Sequence, residues 1–256
     1  MTSASKIIIA IVSIITVIAI LIGVFLHIVK GFSFDGSTHT VENTVELDGT
    51  LSEIIMDIDF AEISIKTGDE FSVNYCVPSV LEPKIELKNG TLEIKTPSNN
   101  LNLHFGNVKF DNYIIVTIPS DSELARINID VDAGEVNLED LNVSKLQVAA
   151  DAGNIQLDNI TSTRMEIDAD TGNLEIRKSS TDTLNIDVDA GNVELYDSTI
   201  GTITAEVDAG NIESHDCTIE SGSCDTDLGN ISLRGDIGDV STHTSLGNAS
   251  TEKKSA

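Results

Sequence analysis

A glycine-centred motif that returns at a fixed interval is the feature that most constrains the fold of this chain. The motif reads Asp-x-Gly followed by Asn or Glu, with Ser in place of Asp in the last copy. Its glycines are spaced by 19 residues five times and then by 18: Gly134, Gly153, Gly172, Gly191, Gly210, Gly229 and Gly247. Self-similarity at a fixed period indicates stacked units, each of which packs on its neighbours.

The residues around each glycine alternate between apolar and polar. Apolar residues recur seven, five and three places before the glycine and two and four places after it. Around Gly153 these are Leu146, Val148, Ala150, Ile155 and Leu157. Period-two alternation predicts β-strands with one buried face. Each repeat is therefore predicted to contain two short strands hinged at the glycine, plus a polar return such as residues 197–201.

The corner residues suit a tight turn. We expect the glycine to adopt a positive φ, and the preceding Asp to accept a hydrogen bond from a nearby backbone N–H. The side chain that follows can stack on its equivalent in the next coil. These stacking residues are Asn154, Asn173, Asn192, Asn211, Asn230 and Asn248.

The predicted fold class is all-β, a β-solenoid of coils of about 19 residues stacked about 4.8 Å apart. An antiparallel sandwich or barrel is the alternative. Within a domain predicted at 45–250, residues 127–250 form the regular repeats. Residues 45–120 lack a strict period and are predicted to form irregular coils, with Asp59–Glu62 as a degenerate corner. The tail is 251–256, and the polar last coil is expected to cap the stack.

A long apolar segment precedes this domain. Residues 7–29 are 23 consecutive uncharged positions between Lys6 and Lys30. At about 1.5 Å per residue they are long enough to cross a hydrocarbon core of about 30 Å. A cleaved signal peptide is the alternative, but it has a shorter apolar core followed by a small-residue cleavage site. We therefore predict a transmembrane helix that acts as an uncleaved signal anchor, between a short tail (1–6) and a linker (30–44).

Charge and cysteine content suggest the side of the membrane. The chain has 15 Lys and Arg against 42 Asp and Glu, a formal net charge of −27. Such acidity excludes nucleic acid as a partner and disfavours binding to anionic lipid. The three cysteines have no C-x-x-C spacing, although a Cys217–Cys224 bridge stays open. We expect a single-pass protein of the cell membrane with its C-terminal domain outside the cell.

A strand that ends in proline, Tyr113–Pro119, leads into the repeated Asp-x-Gly-Asn/Glu turns. This combination resembles the putative adhesin family of bacterial envelope proteins, a family of unknown function that includes membrane-anchored members like LiaG of cell-envelope stress operons. The resemblance covers about residues 45–250. It implies a β-solenoid at a bacterial cell surface and supplies no catalytic residues.

The repeated carboxylates are the one candidate for chemistry. The corner aspartates are candidate Ca²⁺ ligands, because closely spaced oxygen atoms suit that ion. They are Asp132, Asp151, Asp170, Asp189, Asp208 and Asp227. Solvated turn residues that bind nothing are the alternative, and no cofactor is otherwise expected. An active site is a singular constellation, whereas these carboxylates recur in every coil, so the sequence predicts no enzyme and no catalytic residue.

These observations lead to three hypotheses about function. The first is a non-enzymatic, membrane-anchored surface module that binds an envelope glycan or a protein partner. The second is an accessory of a cell-envelope stress system that binds other membrane proteins. The third is a structural stalk loaded with Ca²⁺.

Overall fold

A computed structural model describes residues 39–97 and 112–253, almost entirely as β-strands. Seven strands and one short 3-10 helix, Ser79–Leu81, precede the regular repeats. The strands are β1 (Thr40–Glu46), β2 (Glu53–Phe60), β3 (Glu62–Gly68), β4 (Ser72–Pro78), β5 (Lys84–Lys88), β6 (Thr91–Lys95) and β7 (Tyr113–Pro119). Ten more follow: β8 (Glu123–Ala133), β9 (Val136–Ala152), β10 (Ile155–Thr171), β11 (Leu174–Arg177), β12 (Ser180–Ala190), β13 (Val193–Tyr196), β14 (Thr199–Ala209), β15 (Ile212–Leu228), β16 (Ile231–Leu246) and β17 (Ala249–Lys253).

From β8 onward every pairing between coils is parallel and in register with the sequence repeat. Ile186, for example, pairs with Ile167 on one side and with Ala205 on the other, each 19 residues away. The step falls to 18 where the register between β15 and β16 shifts after Ser214, so that Cys217 pairs with Gly235. Parallel pairing at this constant step confirms the β-solenoid and is incompatible with an antiparallel sandwich or barrel.

Each coil has three corners. In the pairing of β9 with β10 the ladder is interrupted at Asp170, at Asn159 and at Thr163. The first interruption is the predicted glycine corner. The second is a left-handed residue, with φ between 46° and 57° at Asp140, Asn159, Lys178, Asp197 and Asp216. Asn and Asp tolerate this conformation better than most residues, which explains their frequency at this corner.

The three sides enclose one continuous apolar core. Every residue in the alternating pattern around Gly153 is at most 4% exposed, as the sequence predicts. The return side differs from the prediction, because it is a third strand and not a polar loop. Ser198 and Ile200, both assigned to that loop, are buried. The return escapes detection because its inward positions include Ser and Thr, which break the apolar alternation.

Close approach of the backbone explains the corner glycines. A β-carbon on Gly172 would lie 1.7 Å from the carbonyl oxygen of Gly153, and one on Gly191 would lie 1.6 Å from that of Gly172. The expected positive φ explains only some of the glycine corners. Gly172 has a φ of +150°, whereas the φ of Gly191 lies outside the +20° to +160° region. All the glycine corners therefore share one requirement, which is that no β-carbon fits between the two coils.

The N-terminal end departs from the expectation of irregular coils that follow one another in order. β2 and β3 do form a coil, and Ala61 takes the place of a corner glycine beneath Gly134. On the other side of this coil, however, lie β6 and β7, which come later in the chain and pair with β2 and β3 in parallel. β5 then pairs antiparallel with β6, and β4 and β1 add antiparallel strands beyond β7.

Two further expectations concern the cysteines and the anchor. Cys217 and Cys224 are both free and buried, so the open possibility of a bridge between them is not realised. Burial raises the pKa of both thiols, that of Cys224 to about 12. In the part of the chain that the structure describes, no helix has the length and apolarity needed to cross a membrane. The segment predicted as an anchor, 7–29, lies outside those residues.

Candidate functional site

The outward side chains of the strands that precede the corner glycines form one face, here called the groove face. It consists of four parallel columns, each with one residue per coil, because parallel in-register strands align equivalent side chains. From one edge to the other the columns are a basic column (Arg126, Lys145, Arg164), an amide column (Asn128, Gln147, Glu166, Asn185, Thr204), an inner acidic column (Asp130, Asp168, Asp187, Glu206, Asp225) and the corner aspartates. Charge therefore changes sign across the first three coils of the face, because Thr183 and Thr202 continue the basic column without a charge.

A shallow groove of about 460 Å³ runs between the amide column and the inner acidic column. It crosses five coils, from Asn128 and Asp130 at one end to Thr204 and Glu206 at the other. Ala149 lies in the groove where its neighbours in the column, Asp130 and Asp168, carry carboxylates. The short alanine side chain leaves space at this coil.

In the first coils of the groove, the polar side chains bond to one another. Arg126 donates a hydrogen bond to Gln147 at 2.8 Å, and Gln147 donates in turn to Glu166 at 2.5 Å. Lys145 lies 3.0 Å from Glu166, and Arg164 lies 2.6 Å from it. The hydrogen bond from Lys145 is the largest of the influences that hold the pKa of Glu166 below its ordinary value. These side chains are therefore already engaged in hydrogen bonds and ion pairs with one another.

The next coils present polar groups that are not engaged in this way. Among the residues that the structure describes, Asn185 and Thr204 make no side-chain hydrogen bond. Both line the groove, next to the carboxylates of Asp187 and Glu206. Their donors and acceptors remain available to a partner that enters the groove.

The corner aspartates, predicted as Ca²⁺ ligands, form an exposed column of like charges. Burial, and then the neighbouring Asp59, Asp151, Asp130 and Asp57, raise the pKa of Asp132. The pKa of Asp151 and of Asp187 in the inner column is raised in the same way. Within residues 39–97 and 112–253, no three His, Cys, Asp or Glu side chains are grouped so that they could hold a metal ion.

Directly after the corner the asparagines form a ladder. The Oδ1 atom of Asn173 accepts two hydrogen bonds from Asn192, one from its backbone N–H at 3.0 Å and one from Nδ2 at 3.2 Å. The same pair of bonds joins Asn154 to Asn173, Asn192 to Asn211 and Asn211 to Asn230. This ladder fixes the corner next to the groove face.

A stack of planar side chains that the sequence analysis did not predict lies on the strands after the glycine corners. The ring of Tyr196 stacks on His215 at a centroid distance of 5.0 Å, and the guanidinium of Arg177 lies 4.8 Å from the same ring. Glu175 accepts a hydrogen bond from Arg177 at 2.9 Å, and Glu194 accepts one from Tyr196 at 2.6 Å. Both faces of the tyrosine ring are occupied, so this stack stabilises the coils and offers no platform to a sugar.

A model of one protein family matches residues 51–251 of the chain. The chain belongs to the Toastrack DUF4097 family. The resemblance to bacterial putative adhesins is confirmed by solved structures of the same fold. A putative adhesin from Bacteroides fragilis has a TM-score of 0.61 and 15% identity, over 83% of this chain and 97% of that one. A putative adhesin from Parabacteroides distasonis has a TM-score of 0.56 and 16% identity, over 86% and 98%.

At identities this low, the likeness of this Toastrack chain to the two adhesins extends to the fold alone. Among curated proteins, none matches the sequence significantly. A function for the domain therefore has to be argued from its own surface.

Proposed function

We propose that this Toastrack protein is a non-enzymatic binding module, displayed outside the cell by the apolar segment 7–29, and that the groove face binds an extended polar partner. One observation carries the proposal: one groove of about 460 Å³ crosses five coils, and each coil lines it with one residue of the amide column and, except at Ala149, one carboxylate of the inner acidic column. A partner that extends along the solenoid axis could make equivalent contacts on successive coils about 4.8 Å apart.

The repetition favours binding over catalysis. Catalysis uses a nucleophile, an acid or a base whose surroundings set it apart from its neighbours. In the groove, Asp168, Asp187 and Glu206 occupy equivalent positions on successive coils. Glu166 does differ, but two cations hold it in its charged form. Repeated, weakly distinguished polar groups suit recognition of a repeating or extended chain.

The coils of Asn185 and Thr204 are the part of the groove where we place the main contacts. Their amide and hydroxyl groups both donate and accept hydrogen bonds, and the adjacent Asp187 and Glu206 accept them. A glycan rich in hydroxyl groups, or an extended segment of protein backbone, would satisfy such a row. The description of two similar structures as putative adhesins is in keeping with a binding role.

Photo-cross-linking in intact cells tests this proposal. A photoreactive residue placed at Thr204 samples the groove, and the same residue at Thr199, which is exposed on the return side, is the matched control. We expect specific capture at position 204, and loss of that capture when Asn185 and Asp187 are both replaced by alanine. Captured glycan or foreign protein would identify an adhesin, and captured membrane proteins of the same cell would identify an envelope accessory. Equal capture at both positions would refute the assignment of the groove.

A further inference from the structure

The charge of the groove face changes along the solenoid axis as well as across it. In the basic column, the residues of the three coils after Arg164 carry no charge: Thr183, Thr202 and Ser221. The two acidic columns continue through the same coils, with Asp187, Asp189, Glu206, Asp208, Asp225 and Asp227. Each of these coils therefore places two carboxylates and no cation on the face.

The carboxylates of these coils lack the cationic partners that Glu166 has. In the part of the chain that the structure describes, no Lys, Arg or His forms an ion pair with Asp187 or Glu206. Desolvation, and then the charges of Asp168 and Glu206, raise the pKa of Asp187. The repulsion between neighbouring carboxylates is thus uncompensated, and a cationic partner in the groove would relieve it.

The spacing of these carboxylates suits several cations in a row and not one metal ion. Among residues 39–97 and 112–253, no three acidic, His or Cys side chains are grouped closely enough to hold a metal. Equivalent carboxylates recur once per coil, about 4.8 Å apart. Cations that are linked along one chain bind such a row more tightly than free cations, because every contact after the first is intramolecular.

The other wall of this part of the groove is neutral. Asn185 and Thr204 line it with amide and hydroxyl groups that both donate and accept hydrogen bonds. A peptide backbone offers one N–H and one C=O about every 3.3 Å, so an extended segment can bond to both residues. The four columns contain no Phe, Trp or Tyr between Arg126 and Asp227, so they have no ring on which a sugar could stack. These two features favour a peptide over a glycan.

We propose that the end of the groove formed by Asn185, Asp187, Thr204 and Glu206 binds an extended peptide segment rich in Lys or Arg. The backbone of the segment bonds to the neutral wall, and its cationic side chains pair with the carboxylates. Lys and Arg have long stems that reach carboxylates in either acidic column, and Arg can pair with both oxygens of one carboxylate. This inference rests on the proposed binding role of the groove and names the chemistry of its partner.

Binding of a fluorescent oligolysine to the full chain, purified in mild detergent, tests this inference by fluorescence anisotropy at low ionic strength. A probe of about five residues, at about 3.3 Å per residue, covers three coils. The double variant Asp187→Asn/Glu206→Gln removes two carboxylates from the groove. Asp182→Asn/Glu220→Gln is the matched control, because it removes the same two residue types from exposed positions on the return side.

We expect the groove variant to raise the Kd of oligolysine about five- to tenfold, because two ion pairs are lost, and the control to raise it less than about twofold. Circular dichroism spectra and melting temperatures show that both variants are folded. Failure of the wild type to bind oligolysine, or equal weakening in the two variants, would overturn the inference.

Two further probes test whether the partner is a peptide. A linear polyamine and a glucosamine oligomer, each with the same charge as the oligolysine, carry cations without a peptide backbone. We expect both to bind more weakly than oligolysine, and equal or tighter binding of either would refute the choice of a peptide. The cross-linking at Thr204 is independent of this result. Specific capture there of a partner without a basic segment would retain the groove as the binding surface and still refute the cationic peptide.

Discussion

Gly153 lies so close above Gly134 that a β-carbon on it would be 1.5 Å from the carbonyl oxygen of Gly134. The same close approach repeats at every glycine corner up to Gly247, where an added β-carbon would be 1.6 Å from the carbonyl oxygen of Gly229. Because the obstructing atom belongs to the backbone of the neighbouring coil, it cannot move without breaking the ladder. The glycine repeat is therefore a consequence of the stacking distance.

Replacement of Gly172 by alanine should destabilise the domain by about 3 kcal/mol or more, beyond the usual range for an overpacked site, because the clash is with backbone. Thermal or urea denaturation measures the change. Thr171→Ala, at the half-buried position next to it, is the matched control and should cost less than about 1 kcal/mol. A Gly172→Ala variant as stable as this control would contradict the steric account of the corners.

The asparagine ladder gives a prediction with an internal control. The side chain of Asn192 donates to Asn173 and accepts two hydrogen bonds from Asn211. Asn192→Ala should therefore lower the free energy of unfolding by about 1–3 kcal/mol, because an N–H of Asn211 loses its partner. The ladder ends at Asn248, where the structure shows the backbone N–H bonded to Asn230 and no hydrogen bond from the side chain. Asn248→Ala should change stability by no more than about 0.5 kcal/mol. Equal losses in the two variants would show that the ladder contributes nothing.

The regular part of the fold could be predicted because two independent constraints repeat together. Core columns such as Ile167, Ile186 and Ala205 alternate with outward residues, and steric exclusion repeats the corner glycine at the same period. A strict period also determines which strands are neighbours. This is the information that local patterns normally lack.

The N-terminal end could not be predicted for the same reason. No period relates β2 to β6 or β8, so nothing local indicates that the β2–β3 coil lies between strands that come later in the chain. The groove was also missed, although its columns are visible in the sequence. Its depth depends on how Ala149 and its neighbours fill the space, which alternation does not specify.

The buried serines of the second corner provide a further test. The hydroxyl of Ser198 donates to the carbonyl oxygen of Tyr196 at 2.7 Å and accepts from the backbone N–H of Ser179 at 3.1 Å. Ser198→Ala leaves that N–H buried and without a partner, so we expect a loss of about 1–3 kcal/mol. Thr199→Ala, next to it and exposed, should be nearly neutral. Denaturation of both variants under the same conditions makes the comparison, and a neutral Ser198→Ala would show that water replaces the hydroxyl.

The raised pKa values of Asp132, Asp151 and Asp187 predict that mild acid stabilises the domain. A carboxyl whose pKa is higher in the folded protein than the ordinary value of about 3.9 binds its proton more tightly when folded. The free energy of unfolding should therefore increase as the pH falls from 7 through these raised values. Glu166 acts in the opposite direction, but its pKa is lowered, so its contribution is lost only at lower pH.

Melting temperatures at pH 7 and about pH 5, in low and high salt, measure this effect. We expect a higher melting temperature at the lower pH in low salt, and a smaller difference in high salt, because ions screen exposed carboxylates. Asp187→Asn should raise the melting temperature at pH 7 by about 1 °C and reduce its pH dependence, whereas Asp182→Asn, exposed on the return side, should do neither. Repeating the series with CaCl₂ and NaCl at equal ionic strength separates a specific cation site from screening. A melting temperature that falls steadily from pH 7 to 5 would show that the acidic columns do not repel one another enough to affect stability.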